Sequence, residues 1–236
     1  MEIIVDSLLT GAERATGHVA IIDVFRAFTT AAVALANGAS QITMVGTVDE
    51  ALTLRDRGVG HLCMGEVQGL APPGFDFGNS PFAIKAVDFT GKNIIQRTSA
   101  GTQGIVAASR AKRLYAASLV TASATARALG SGTSDRITLV AMGKSGIQRT
   151  DEDELCALHL RNLLEGRRGN PEAVRQVILA GGEAERFHDP NPPHLYAEDL
   201  EIALDIGRYD FAVRLVIEDG RPVARMERDA SYRRHR

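Results

Sequence analysis

The sequence predicts an α/β fold: a mixed, largely parallel sheet with helices on both faces. Three observations predict it. Short apolar runs alternate with longer stretches that repeat apolar residues every three or four positions. Glycines close several of those longer stretches, at Gly38, Gly58, Gly130 and Gly166, as helix C-caps do. Hydrophobic residues make up 44% of the 236, enough for a large core and too many for a disordered chain. Strand–helix alternation of this kind builds βα units.

The elements follow in order. Strands are expected at residues 2–5, 18–24, 41–45, 61–64, 93–98, 113–116, 136–142 and 210–217, each a short apolar run. Helices are expected at 26–37, 48–57, 101–111, 121–129, 151–164, 171–180 and 197–205, rich in Ala, Leu, Glu and Arg. Two stretches break the rhythm. The first, from Gly65 to Pro81, holds Gly65, Gly69, Pro72, Pro73, Gly74, Gly78 and Pro81, which suggests an irregular loop with a job. The second runs from Gly181 to Pro193. One domain, of one or two lobes, is expected over residues 1–225, followed by a basic tail at 226–236.

Composition excludes several classes. A net charge of −2 argues against a nucleic-acid binder with a broad phosphate-neutralising surface. No run nears the roughly 20 apolar residues of a membrane span, and the N-terminus lacks a basic start and a long apolar run. A cytoplasmic protein that needs neither membrane nor nucleic acid is expected. Cys63 and Cys156, in apolar surroundings, read as buried thiols, and no CxxC pair supports a zinc site.

Four constellations could carry chemistry. Asp23 ends an apolar run and Arg26 begins a helix, in Asp23-Val24-Phe25-Arg26-Ala27-Phe28-Thr29-Thr30. Open α/β sheets bind ligands at the carboxyl ends of strands. Asp23 could hold a metal, activate water or cap the helix. Arg26 could clamp an anion through its planar fork or pair with Asp23. Glu66 and Asp76, with Asn79 and Ser80, form an all-oxygen set that suits Mg²⁺ rather than zinc. Ser80-Pro81 equally reads as an ordinary helix start. Thr98-Ser99-Ala100-Gly101-Thr102 joins a strand to a helix, where backbone N–H groups can meet an anion. Finally Gly143-Lys144-Ser145 precedes the acidic run Asp151-Glu152-Asp153-Glu154, in which one or two acids are candidate metal ligands. It is not a P-loop, because position 138 is Thr138 where that motif needs glycine.

These strings, in this order, resemble the 2-phosphosulfolactate phosphatase family. Asp23-Val24-Phe25-Arg26-Ala27, Gly65-Glu66, Gly74-Phe75-Asp76-Phe77-Gly78-Asn79-Ser80-Pro81, the stretch from Thr98 to Thr102, Glu152-Asp153 and the stretch from Asp199 to Val213 carry the resemblance. It implies a three-layer α/β sandwich distinct from a Rossmann domain. It also implies Mg²⁺-dependent hydrolysis of 2-phospho-3-sulfolactate, a step that lies on a route to coenzyme M in some organisms. The metal ligands it suggests are Asp23, Glu66, Asp76 and Asp153, with Asp23, Arg26, Glu66 and Asp76 catalytic. Substrate contacts fall to Arg26, Thr29, Thr30, Asn79, Ser80, Thr98, Gly101, Thr102 and Lys144. One departure stands out: the family's Thr-Asn-Gly-Thr turn reads Ser99-Ala100-Gly101-Thr102, so an amide is missing at Ala100. The expected partner is a small phosphorylated anion, and the expected assembly a homodimer. Whether a carboxylate attacks phosphorus or activates water stays open, as does the rival reading of a non-catalytic anion-binding or regulatory protein.

Overall fold

The structure is a computed structural model that describes residues 1–189 and 194–228. Nine strands form one sheet: β1 (Glu2–Ser7), β2 (Gly17–Ile22), β3 (Gln41–Met44), β4 (Leu62–Gly65), β5 (Asn93–Arg97), β6 (Ala111–Ala117), β7 (Arg136–Ala141), β8 (Phe211–Glu218) and β9 (Arg221–Arg228). The helices are α1 (Leu8–Arg14), α2 (Ala27–Ala36), α3 (Val48–Asp56), α4 (Pro81–Ile84), α5 (Gly101–Ala107), α6 (Ala122–Gly130), α7 (Asp151–Leu164), α8 (Pro171–Leu179), α9 (Gly182–Glu185) and α10 (Ala197–Ala203).

The spatial order is β1-β7-β2-β6-β8-β9-β3-β5-β4. Two parallel blocks result, β1-β7-β2-β6 and β3-β5-β4. The antiparallel hairpin β8–β9 joins them, pairing with β6 on one side and β3 on the other. This order differs from the Rossmann arrangement and leaves a mixed, mostly parallel sheet.

Burial on both faces of β2 shows why the sandwich has three layers. Val19 and Ile21 enter one core with Phe28, Ala31 and Leu35 of α2 and Ile105 of α5. Ala20 and Ile22 enter the other with Leu129 of α6 and Cys156 and Leu160 of α7. Successive side chains point to opposite faces, so a strand covered on both sides must be apolar throughout.

Helix α1, the short α9 inside the second irregular stretch, and strand β9 were not expected. Helix α1 has a glycine inside it and no side-chain cap at Ser7. It is held by packing, since Gly11 lies against Asp6 and Val140 and Ala12 is fully buried. Strand β9 carries Arg221, Pro222, Arg225, Glu227 and Arg228, so its apolar signal is weak. It includes residues 226–228, which the sequence assigned to the tail. Residues 229–236 of that tail, and 190–193 of the second irregular stretch, lie outside the described residues.

Candidate active site

A cavity of about 570 Å³ opens where strand ends from both blocks meet. Asp23 follows β2, Glu66 follows β4, Ser99 and Ala100 follow β5, and Gly143 and Lys144 follow β7; all line it. The two blocks run in opposite senses along the pleat. Sheet twist of roughly 20–25° per strand pair accumulates over the five steps from β2 to β5 to about 100–125°. The strand ends of both blocks reach this one cavity. The Gln96 side-chain amide, which donates to the Ala27 carbonyl at 3.0 Å, marks the seam.

Asp23 lies on the cavity floor, 6% exposed. Its Oδ1 accepts from the Ala27 N–H at 3.0 Å, so it does cap α2 as well as face the cavity. Burial pushes its carboxyl up to about 6, with the charge of Glu66 adding to the rise; N–H groups of Ala27 and Gly101 and the Arg186 charge oppose it. Asp153 is buried too. Its Oδ1 accepts from Val24 N–H at 2.7 Å and its Oδ2 from Gly143 N–H at 2.8 Å, which staples the β2 and β7 loops together. Burial, and then the Asp23 charge, raises its proton affinity well above the ordinary carboxylate range. Glu152 beside it is raised likewise, by burial and then by Asp153. Burial and mutual repulsion together hold these carboxylates above the ordinary range, a pattern that clusters at functional clefts.

Glu66 lines the same cavity but is heavily engaged. Its oxygens accept from Ser99 N–H at 2.5 Å, Gly69 N–H at 2.7 Å and the Ser99 hydroxyl at 3.1 Å. It clasps two loops together. Arg26 also lines the cavity, but its partner is Asp199 of α10 rather than Asp23. Nη1 donates to Asp199 Oδ2 at 2.6 Å and to the His194 carbonyl at 2.8 Å. The Phe25–Arg26 peptide is cis. Asn79 reaches the cavity with its Oδ1 buried and without a hydrogen-bond partner among the described residues, and the same holds for Glu152 Oε2.

Other expected site residues go elsewhere. Asp76 does not line the cavity: its carboxylate accepts from Cys63 N–H at 2.8 Å and faces Arg55 of α3 at 3.6 Å. The breaker-rich loop turns it to the far side of β4, so it leaves the metal and catalytic sets. Ser80 caps α4 and donates to Asp199 Oδ1 at 2.7 Å. Thr98 and Thr102 cap each other's N–H groups, at 2.8 and 3.1 Å. The Thr29 and Thr30 hydroxyls return to the Val24 and Arg26 carbonyls, both at 2.9 Å. Gly101 serves the site indirectly, because a Cβ there would sit 2.8 Å from Asp23 Oδ2. Ser80, Thr98, Thr102, Thr29 and Thr30 do not line the cavity, and their hydroxyls hold the loops.

Several lining residues were not singled out from sequence: Gln68, Glu183, Arg186 and His194. The irregular stretch from Gly181 signalled a loop but gave no reason to prefer Arg186 within it.

The donor chemistry fits a hard cation. The carboxylates and the two orphaned oxygens are all-oxygen ligands, and the unbalanced negative charge on the floor is what a divalent ion would relieve. Among the described residues, no three His, Cys, Asp or Glu side chains form a preformed metal cluster. A Mg²⁺ ion keeps several waters and takes only one or two carboxylates directly.

The chain is similar to known proteins. A family model described as 2-phosphosulpholactate phosphatase matches residues 5–188. A Bacillus subtilis protein named probable 2-phosphosulfolactate phosphatase is 33% identical over 204 residues, 85% of this chain and 87% of its own length. Proteins of the same name from Thermotoga petrophila and Thermus thermophilus are 40% and 36% identical. Their alignments span about half of each chain, 53% of both for the first and 57% of this chain and 56% of the relative for the second. The matched span includes Asp23, Glu66, Glu152, Asp153 and Arg186, and stops short of His194 and Leu195. The chain belongs to the 2-phosphosulpholactate phosphatase family, a family of phosphoric monoester hydrolases.

Proposed function

We propose that this protein hydrolyses 2-phospho-3-sulfolactate to 3-sulfolactate and phosphate with the help of Mg²⁺. One observation carries the reading: Asp23, Glu152 and Asp153 meet Arg26 and Lys144 around a single cavity at strand ends, in a chain of this family. Phosphoryl transfer asks chiefly for charge neutralisation and an aligned nucleophile. Arg26 and Lys144 offset the charge of the phosphoryl oxygens. Asp23, fixed by the Ala27 N–H, accepts a hydrogen bond from the attacking water and takes its proton. The water oxygen bonds to phosphorus as the ester P–O bond breaks, and the sulfolactate oxygen leaves and takes up a proton from solvent. Mg²⁺ held by one or two of the carboxylates Asp23, Glu152 and Asp153, with Asn79 and water completing its shell, would supply further charge neutralisation and help orient that water.

A cytoplasmic homodimer on a route to coenzyme M completes the proposal; sedimentation of the purified protein against the 25.3 kDa chain mass tests the dimer. Among the described residues no helix is long and apolar enough to cross a membrane. The decisive assay is phosphate release from 2-phospho-3-sulfolactate. Release is expected with Mg²⁺ and should vanish in excess chelator. Full activity in chelator would remove the metal from the mechanism. Binding without release would favour the non-catalytic reading instead.

A further inference from the structure

We propose that Arg186 is the specificity-determining residue of this cavity: it receives the acid group that is not transferred, the carboxylate or the sulfonate beside the phosphate ester. This rests on the phosphatase reading above. A substrate with three anionic groups needs a cation apart from those at the reacting phosphate, and the cavity offers one at a different depth. Asp23, Glu152, Asp153 and Arg26 are all at most 6% exposed, whereas the Arg186 side chain is 34% exposed. The first four form a floor and Arg186 stands at the rim.

The two arginines also differ in how far they are satisfied. Arg26 spends Nη1 on two short bonds, to a fully buried Asp199 and to a carbonyl. Among the described residues Arg186 has one hydrogen bond, from Nη2 to the Phe25 carbonyl at 3.3 Å. Its Nε is buried with no hydrogen bond, although Glu183 Oε2 lies 3.3 Å away as a loosely aligned ion pair. The side chain is nonetheless held in place. Its guanidinium lies 5.3 Å from the Phe187 ring, and Phe187 packs edge-on against Phe25 at 5.1 Å. An anchored fork with donors to spare is suited to a planar or tetrahedral oxyanion. Its charge reaches the floor, since it lowers the proton affinity of Asp23. Lys144, the other rim cation, is exposed and offers a single point charge.

The test is a discrimination ratio. The kcat/KM for 2-phospho-3-sulfolactate is divided by that for ethyl phosphate, which has neither acid group. In R186Q this ratio should fall roughly 10- to 150-fold, the value of a charge-assisted hydrogen bond, mostly through KM because the group does not react. R186K should recover part of it. Two further esters separate the acids: 2-phospholactate keeps only the carboxylate, and 2-(phosphonooxy)ethanesulfonate only the sulfonate. The ester whose ratio falls in R186Q identifies the group Arg186 holds. An unchanged ratio in folded R186Q overturns the proposal. If R186Q does not fold, R186K decides, because an unchanged ratio there shows that no two-pronged contact exists. If the wild type releases phosphate from none of the esters, the phosphatase reading fails separately. Thermal stabilisation by 3-sulfolactate then decides: a shift present in wild type and lost in R186Q supports Arg186, and any other pattern refutes it.

Discussion

Arg26 and Asp199 form an ion pair at 2.6 Å with side chains 5% and 0% exposed, and this changes what a mutation at Arg26 should do. Breaking a buried pair by removing one partner costs about 3–5 kcal/mol, because the other charge is left uncompensated. Asp199→Ala should therefore lower stability by that order. It should also cut kcat/KM, since Asp199 fixes Arg26 and holds Ser80 and the Phe82 N–H at the start of α4. Chemical denaturation with parallel kinetics checks both; a stable variant with full activity would show that the pair positions nothing. Arg26→Lys keeps the charge but loses the planar fork, and should lose both stability and activity. Gly101 is the second sensitive position. A Cβ there meets Asp23 Oδ2 at 2.8 Å, Ala27 Cβ at 2.9 Å and Phe28 Cζ at 3.0 Å, all on buried residues. Gly101→Ala should cost about 1–3 kcal/mol as overpacking and depress kcat more than KM by pushing Asp23 aside. Wild-type kcat in that variant would detach Asp23 from catalysis. Cys63 and Cys156 are fully buried, and burial raises both thiols, so alkylation of the native protein should leave activity intact.

Strand β8 was expected, and the turn that brings β9 back against it is written in the sequence as well. The loop is Asp219-Gly220, with Glu218 paired to Arg221 and positive φ angles of 48° and 76°. Asp-Gly with both residues left-handed is the I′ turn that matches strand twist. Gly220→Val should cost about 1–2 kcal/mol, since a left-handed backbone brings Cβ against the following carbonyl. Because this hairpin seams the two parallel blocks, thermal melting should remain a single transition at a lower midpoint. An unchanged midpoint would mean the hairpin tolerates another turn. Helix α7 is written in the sequence too. Its bounds, 151–164, were legible because Thr150 precedes four acids in the first turn and the apolar period is sustained.

At the scale of the whole molecule, the cavity concentrates charge that folding must bury. Asp23 has a folded-state proton affinity above its unfolded one, with its carboxyl at about 6 against 3.8. Its contribution to stability is thus fully present below the unfolded value and is lost as pH rises through the folded one. Asp23→Asn removes the charge and keeps an acceptor for the Ala27 N–H. In chelator, the variant should match wild type near pH 4, gain on it progressively between about pH 4 and 6, and keep a constant advantage above that. Comparing the two proteins cancels the buried His159 and the half-buried His194, whose lowered proton affinities push stability the other way. Thermal melts across that range read the gap, and a gap independent of pH would contradict the burial of Asp23.

The sequence alone determined the α/β class, the limits of most elements and the loops that reach the cavity, because apolar period and glycine punctuation are local properties. It also marked Asp23, Glu66, Asn79, Lys144 and Asp153, which follow strands or open helices. Only the tertiary structure decided which way those loops turn. Asp76 and Glu66 flank the same irregular loop, yet one faces Arg55 and the other Ser99. Arg26 sits three residues from Asp23 and pairs with Asp199, 173 positions away. Arg186 reaches the rim from a stretch without periodicity. The physical reason is the same in each case: a charged side chain is oriented by the partner that offsets its desolvation, and that partner arrives from a distant strand end once the sheet has twisted.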